Sequence, residues 1–193
     1  MCAHRTSPHK VGAVDNDEEG GRHDIDWGSP RSKTVSWFDP MVNATAASTL
    51  NGLEFLYAVR DGVLPRPPIA QLMGFTLVEV APGLAVFECT PDESVYNPIG
   101  VVHGGLVCTL TDSAAGCAVQ SSLDAGVAYT SIDINVTYLR PVTKDSGLIR
   151  ATGRLTKPGR KVAYATVEVT DRAGKMLAQA TSSCLIMDTR DPV

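Results

Sequence analysis

The sequence predicts an α+β domain in which a curved antiparallel sheet wraps a single long helix, and three features of its 193 residues predict it. The run from His103 to Leu123 carries Leu106, Val107, Cys108, Leu110, Ala114, Ala115, Cys117, Ala118 and Val119 around its whole circumference. A helix there has no polar face and must be buried all round. A hairpin precedes that run, and long alternating strands follow it, so the cover has to be a sheet curved around the helix. One sheet covers one side only. The other side calls for a second subunit, and a homodimer or a dimer of dimers is expected.

Residues 1–47 are rich in Asp, Glu, Gly, Ser and Pro, with Trp27, Trp37 and Phe38 as the only bulky ring groups, and bury too little surface to offset their ordering entropy. They read as a flexible arm with scattered histidines (His4, His9, His23) and with Trp37-Phe38 as a short docking anchor at most. The folded domain is expected over residues 48–188, with a short tail at 189–193. It begins with a helix over Thr49–Arg60, because Leu50, Leu53, Leu56 and Tyr57 share a stripe that Gly62 and Pro65 end. Pro67-Pro68 seed a second short helix over Ile69–Met73, closed by Gly74. The strands Phe75–Val80 and Leu84–Cys89 flank a Pro82-Gly83 turn. After the central helix come meandering strands. In Ala128–Leu139, Ile132, Ile134, Val136 and Tyr138 alternate with Ser131, Asp133, Asn135 and Thr137. Leu148–Thr156 and Val162–Thr170 flank Lys157-Pro158-Gly159-Arg160, a type II turn signal, and Lys175–Met187 is the last strand.

The bulk properties narrow the function. An apolar content of 44% suits one good core, and a formal charge of -4 supports neither a nucleic-acid partner nor an anionic membrane surface. No stretch is long and apolar enough for membrane insertion, and the N-terminus shows no signal peptide. Cys2, Cys89, Cys108, Cys117 and Cys184 form no C-x-x-C pair and no ligand spacing with the histidines, so they read as reduced thiols of a cytoplasmic protein with no metal site.

The chemistry concentrates in Asn97-Pro98-Ile99-Gly100-Val101-Val102-His103-Gly104-Gly105 and the helix behind it. A His-Gly-Gly opening a helix offers free backbone N–H groups where no Cβ blocks a ligand, which is the anatomy of an oxyanion site. Asp112 is the only acidic or basic residue on that helix. A carboxylate among Leu, Val and Ala needs a partner or a task. Asn97 also fits a plain turn before Pro98, and Ser131 a strand's polar face. Ser113 lacks a G-x-S-x-G elbow, and Cys108 lacks a spaced His and Asn, so neither reads as a nucleophile.

The spacing Asn97-x-x-Gly100-x-x-His103-Gly104-Gly105, with Asp112 nine residues after the histidine, resembles the hotdog-fold acyl-CoA thioesterases of the phenylacetate-pathway (PaaI-like) type in the 4-hydroxybenzoyl-CoA thioesterase superfamily. Gly126 to Pro141, Pro158-Gly159-Arg160 and Gly174–Leu185 extend the likeness over residues 50–188. The resemblance implies cofactor-independent hydrolysis of acyl-CoA or aryl-CoA thioesters. It implies that Gly104 N–H polarises the thioester carbonyl, with Gly105 among the substrate-binding residues, His103 shaping the turn and Asn97 holding the carbonyl or water. By the same likeness Asp112 of the facing subunit acts as general base or nucleophile, and Ser131 positions the water or the carboxylate. Lys157, Gly159, Arg160 and Lys161 lie where the family binds coenzyme A phosphates, although a solvated hairpin tip explains those cations equally well. Two other readings remain open: a non-catalytic acyl-CoA sensor, which has no need of Asp112, and a hydratase or dehydratase of the same fold.

Overall fold

The computed structural model describes residues 25–188, so Cys2, His4, His9, His23 and the 189–193 tail lie outside it. The chain divides into two units between Ser32 and Lys33. Of the first, residues 25–32 carry no helix or strand, and Ile25 and Trp27 are exposed. All that follows concerns the second.

This unit starts earlier than residue 48. Lys33 pairs with Asp92 at 2.6 Å, and that ammonium, together with hydrogen bonds from Ser94, holds the Asp92 carboxyl down at about 2. Helix α1 (Met41–Ala47) follows with none of its residues buried, and Trp37 and Phe38 stay 59% and 70% exposed. Helix α2 spans Gly52–Arg60 rather than starting at Thr49. The reason is a capping box: the Asn51 side chain accepts from Glu54 N–H at 2.9 Å, and the Glu54 carboxylate accepts from Asn51 N–H at 3.2 Å. Helix α3 (Pro68–Met73) has proline in its first turn and ends on Gly74 in the left-handed region, as the sequence predicts.

Strands β1 (Phe75–Ala81) and β2 (Leu84–Cys89) form the expected hairpin, and the central helix α4 runs from Gly104 to Gln120. Then come β3 (Val127–Tyr138), β4 (Ile149–Lys157), β5 (Val162–Asp171) and β6 (Met176–Asp188). The six strands form one antiparallel sheet in the order β1-β2-β4-β5-β6-β3, and α4 touches all six. The expected meander therefore holds for β4, β5 and β6 but not for β3. Helix α4 carries the chain across the concave face, so β3 enters at the edge opposite β1 and the chain must return to the middle of the sheet for β4.

Close approach makes the wrapping possible. Leu110, Ala114, Ala115, Ala118 and Val119 are fully buried, and Phe75 meets Phe87 edge to face with centroids 5.7 Å apart. Gly153 on β4 lies so near the helix that a Cβ there would sit 2.1 Å from the Ala114 carbonyl oxygen. On the outer face Arg150 forks between Glu79 at 2.7 Å and Glu88 at 2.9 Å, bracing three strands.

Three further expectations change. The helix is not buried all round within one chain: Asp112 is exposed and Gly105, Cys108 and Thr109 are half-buried, an open stripe at i, i+3, i+4 and i+7. The alternation in β3 breaks at Ile132, because Ser131 faces Cys184 while Asp133 faces the next residue of β6, Ser183. Ile132 is the extra residue of this bulge and is 56% exposed, not a core partner of Ile134 and Val136. The turn at Pro158-Gly159 is not type II, since Gly159 lacks the positive φ that Gly83 shows. Glycine is required there by crowding, because a Cβ would stand 2.0 Å from the Val162 carbonyl oxygen.

Gly153→Ala should cost about 1–3 kcal/mol through overpacking against the Ala114 carbonyl, lowering Tm by roughly 2–10 °C. A thermal melt checks this, and an unchanged Tm would mean the helix does not seat this tightly on β4.

Candidate active site

Ahead of α4 the chain folds into a tight loop organised by Asn97. Its backbone N–H donates to the Val101 carbonyl at 2.8 Å, and its side-chain oxygen accepts from Ile99 N–H at 3.1 Å and Val101 N–H at 3.3 Å. The turn role of Asn97 is thus real. With the oxygen held by two N–H groups the amide has one orientation, and Nδ2 is left without a protein acceptor among the described residues.

His103 is the N-cap of α4: its backbone is extended and its Nδ1 accepts from Gly105 N–H at 2.8 Å. That bond commits the Gly105 N–H, so Gly105 is not the open donor that the His-Gly-Gly pattern suggests. Leu106 N–H goes to the His103 carbonyl at 3.0 Å. Gly104 N–H is the one left without an acceptor among the described residues. Tyr138, at the end of β3, closes over the same residue, its hydroxyl donating to the Gly104 carbonyl at 2.9 Å. A Cβ on Gly104 would press on the Tyr138 ring at 3.1 Å, which is why glycine stands here.

Asp112 lies eight residues further along α4, roughly 12 Å at about 1.5 Å per residue. Its Oδ1 accepts from the Ser131 hydroxyl at 2.9 Å. The bulge at Ile132 makes that bond possible, because it puts Ser131 on the helix-facing side while Ile134 and Val136 keep to the core. The other acid on this strand, Asp133, is committed elsewhere: it accepts from the Ser183 N–H at 3.3 Å and from the Ser183 hydroxyl.

Beside Asp112 and Ser131 a cavity of about 260 Å³ runs into the molecule. Phe55, Leu56, Val59, Phe75, Leu77 and Phe87 form its apolar wall, and α4 contributes Ser113, Cys117 and Gln120. Burial pushes the Cys117 thiol up to about 12, with the Asp112 charge adding to the effect, and burial likewise raises the Tyr129 phenol well above its ordinary value. Both are neutral wall groups at neutral pH.

The predicted phosphate ligands stand apart. The Lys157 ammonium lies over the Tyr164 ring at 5.7 Å, and Arg160 and Lys161 are exposed. Gly159 and Arg160 line a groove of about 630 Å³ with Ser122, Leu123 and Asp124, beyond the C-terminal end of α4. With 17 residues in that helix, this groove is roughly 25 Å from Gly104. One chain therefore spreads the predicted site residues over three places: Asn97, His103 and Gly104 at the start of α4, Asp112 with Ser131 near its middle, and the cations past its end.

Comparison with known proteins identifies the arrangement. Residues 99–178 match the thioesterase superfamily. Human acyl-coenzyme A thioesterase 13 is 35% identical over 105 residues, which cover 54% of this chain and 74% of that one. The chain belongs to the thioesterase superfamily. A 1,4-dihydroxy-2-naphthoyl-CoA hydrolase of Listeria monocytogenes is 28% identical over 118 residues, 61% of this thioesterase and 93% of the hydrolase. The crystal structure of a phenylacetic acid degradation-related protein from Ralstonia eutropha superposes with a TM-score of 0.62 at 27% identity, covering 67% of this chain and 98% of that one. The fold is thus the hotdog fold of PaaI-like thioesterases, and the reaction class is thioester hydrolysis.

Two features of the thioesterase were not visible in the sequence. Tyr138 read as a core residue of an alternating strand, and no local signal linked it to Gly104. The cavity is built from α2, α3, β1, β2, β3 and α4, and only their packing brings its walls together. Among the described residues no group of His, Cys, Asp and Glu is placed to hold a metal ion, and no helix is long and apolar enough to cross a membrane.

Removing the cap should loosen the start of α4. His103→Ala is expected to cost about 1 kcal/mol in urea denaturation, while His103→Asn, another good N-cap, retains most of it. Equal loss in both variants would show that the Nδ1 bond is not what holds the turn.

Proposed function

We propose that this thioesterase hydrolyses acyl-CoA thioesters as a homodimer, each active site combining the helix N-terminus of one subunit with Asp112 of the other. The observation that carries this reading is that eight residues of α4, a rise of roughly 12 Å, stand in one chain between Gly104 with its free N–H and Asp112, whose carboxylate Ser131 holds at the mouth of an apolar cavity. Groups that far apart cannot act on one carbonyl.

The dimer has a natural seam. Strand β3 is an edge of the sheet, and beside its free edge lie the open stripe of α4 and the exposed Ile132 and Tyr138. A two-fold axis pairing β3 with its copy sets the two α4 helices antiparallel. Centred near Cys108, it brings Gly104 of the partner subunit opposite Asp112. The same reversal carries the partner's helix start toward the Lys157–Lys161 hairpin, where Lys157, Arg160 and Lys161 meet the coenzyme A phosphates.

In the reaction, Gly104 N–H and Asn97 Nδ2 donate to the thioester carbonyl oxygen and stabilise the oxyanion as the carbonyl carbon becomes tetrahedral. Each such donor typically contributes about 10²–10³-fold. Asp112, oriented by Ser131, takes the proton of the attacking water, or attacks as nucleophile and is released by water in a second step. On either route the tetrahedral adduct collapses by breaking the carbon–sulfur bond, and the coenzyme A thiolate leaves and is protonated. On the nucleophile route this comes before the water step, which hydrolyses the acyl–Asp112 anhydride to the free acid. The relatives named for acyl-coenzyme A and naphthoyl-CoA thioesters support this substrate class. A sensor without catalysis would not need a carboxylate aligned by a serine. Four free thiols among the described cysteines support a reducing, cytoplasmic setting.

Asp112→Asn should lower kcat at least about 100-fold while acyl-CoA still binds, and Asp133→Asn should leave kinetics near wild type. Steady-state thiol release and equilibrium binding measure both, and the reverse pattern would move the acid to Asp133. Site sharing has its own signature. Asn97→Ala and Asp112→Asn homodimers should each be nearly inactive, yet refolding them together makes about half the dimers mixed, each with one intact site of two. Roughly a quarter of wild-type activity should return. If mass spectrometry confirms mixed dimers and no activity returns, the two residues do not belong to one shared site.

A further inference from the structure

The cavity lining is mostly apolar, with Arg66 and Thr76 among its polar members, and α4 adds a polar ridge of its own. Ser113, Cys117 and Gln120 stand at i, i+4 and i+7, one ridge of the helix, facing Phe55, Leu56, Phe75, Leu77 and Phe87. Other hydroxyls of this helix and its end turn back onto helix carbonyls: Thr109 at 2.9 Å, Thr111 at 2.9 Å, Ser121 at 2.8 Å and Ser122 at 2.8 Å. The half-buried Gln120 amide makes no hydrogen bond among the described residues. The amide is not a buried orphan, so water reaches it in the empty cavity, and an acyl chain that fills the cavity must replace that water.

Its position is fixed by the backbone. The Gln120 carbonyl accepts from Leu123 N–H at 2.9 Å, and Gly52 at the start of α2 abuts the same carbonyl so tightly that a Cβ there would overlap it at 1.7 Å. Gly52 N–H in turn donates to the Leu123 carbonyl at 2.9 Å. The Gln120 backbone therefore sits on a rigid junction from which its side chain reaches the cavity. Gln120 is eight residues beyond Asp112, roughly 12 Å along the helix. A volume of about 260 Å³ holds about nine groups of water size, at roughly 30 Å³ each. Both measures fit an acyl group of about eight non-hydrogen atoms with its thioester at Asp112 and its far end at Gln120.

We propose that Gln120 is a specificity-determining residue that binds a hydroxyl or keto oxygen at the far end of the acyl group, so that the enzyme prefers acyl-CoA thioesters carrying a distal oxygen over plain hydrocarbon chains of equal length. The amide both donates and accepts, which matches a neutral oxygen better than an anion. This inference rests on the thioesterase reading of the same site. A plain chain leaves the amide unpaired, and that mismatch is the source of the discrimination.

The test measures kcat/KM of the full chain for octanoyl-CoA and 8-hydroxyoctanoyl-CoA, with the hexanoyl and decanoyl pairs beside them. Wild type should favour the hydroxylated eight-carbon substrate about tenfold, with a smaller preference at six and ten carbons. Gln120→Leu and the unbranched Gln120→Met should bring the ratio to unity or invert it. A wild-type ratio near one, or a preference that survives in a folded variant, would overturn the inference while hydrolysis itself stands. If neither variant folds, the chain-length dependence in wild type decides, and a flat profile overturns it. Release of no thiol from any of the six substrates would mean that the thioesterase reading has failed, and the inference with it.

Discussion

A helix buried around most of its circumference, held by a sheet that can only partly surround it, is the constraint on which the rest of the structure depends. Helix α4 touches all six strands, and its alanines seat against Gly153 at backbone distance. Yet a sheet with two free edges cannot close around a cylinder. The stripe Gly105, Cys108, Thr109 and Asp112 is what remains open, next to the unpaired edge of β3. In the proposed dimer, assembly and chemistry would share that stripe, because the surface that completes the core would also be where the carboxylate stands.

The candidate site is assembled from backbone groups that the fold leaves unspent. At a helix start several N–H groups lack partners. Here Gly105 gives its N–H to His103 Nδ1, and Tyr138 occupies the Gly104 carbonyl, so one donor, Gly104 N–H, remains. The same economy holds at Asn97, whose oxygen is tied into its loop while its nitrogen is not. Orientation is thereby set before any ligand arrives, which is how a donor avoids reorganising during the reaction.

A single extra residue links the strand to the chemistry. Side chains on a strand alternate, so Ser131 could not face the helix along with Ile134 and Val136 unless the phase shifted between them. The bulge at Ile132 supplies that shift, giving Asp112 its serine and pushing Ile132 out to where a second subunit would cover it. Asp133 is turned onto Ser183 by the same step, which separates two acids that look alike in the sequence.

The sequence by itself determined whatever rests on local pattern. The apolar circumference of His103–Leu123 marks the central helix, Pro82-Gly83 marks the first hairpin, Pro67-Pro68 and Gly74 bound α3, and His-Gly-Gly with Asp112 marks the family, because caps, turns and periodicities are encoded within a few residues. The Asn51-x-x-Glu54 capping pattern is local too, although the reading of a helix from Thr49 passes over it. Only the tertiary structure decided what depends on distant partners: the crossing of β3 to the far edge, the bulge at Ile132, the closure of Tyr138 over Gly104 and the walls of the apolar cavity. The separation of Gly104 from Asp112 by roughly 12 Å needs no distant partner, because it follows from the predicted helix alone. Two residues eight positions apart look adjacent in a motif, and the rigid rise of the helix is what keeps them apart in one chain.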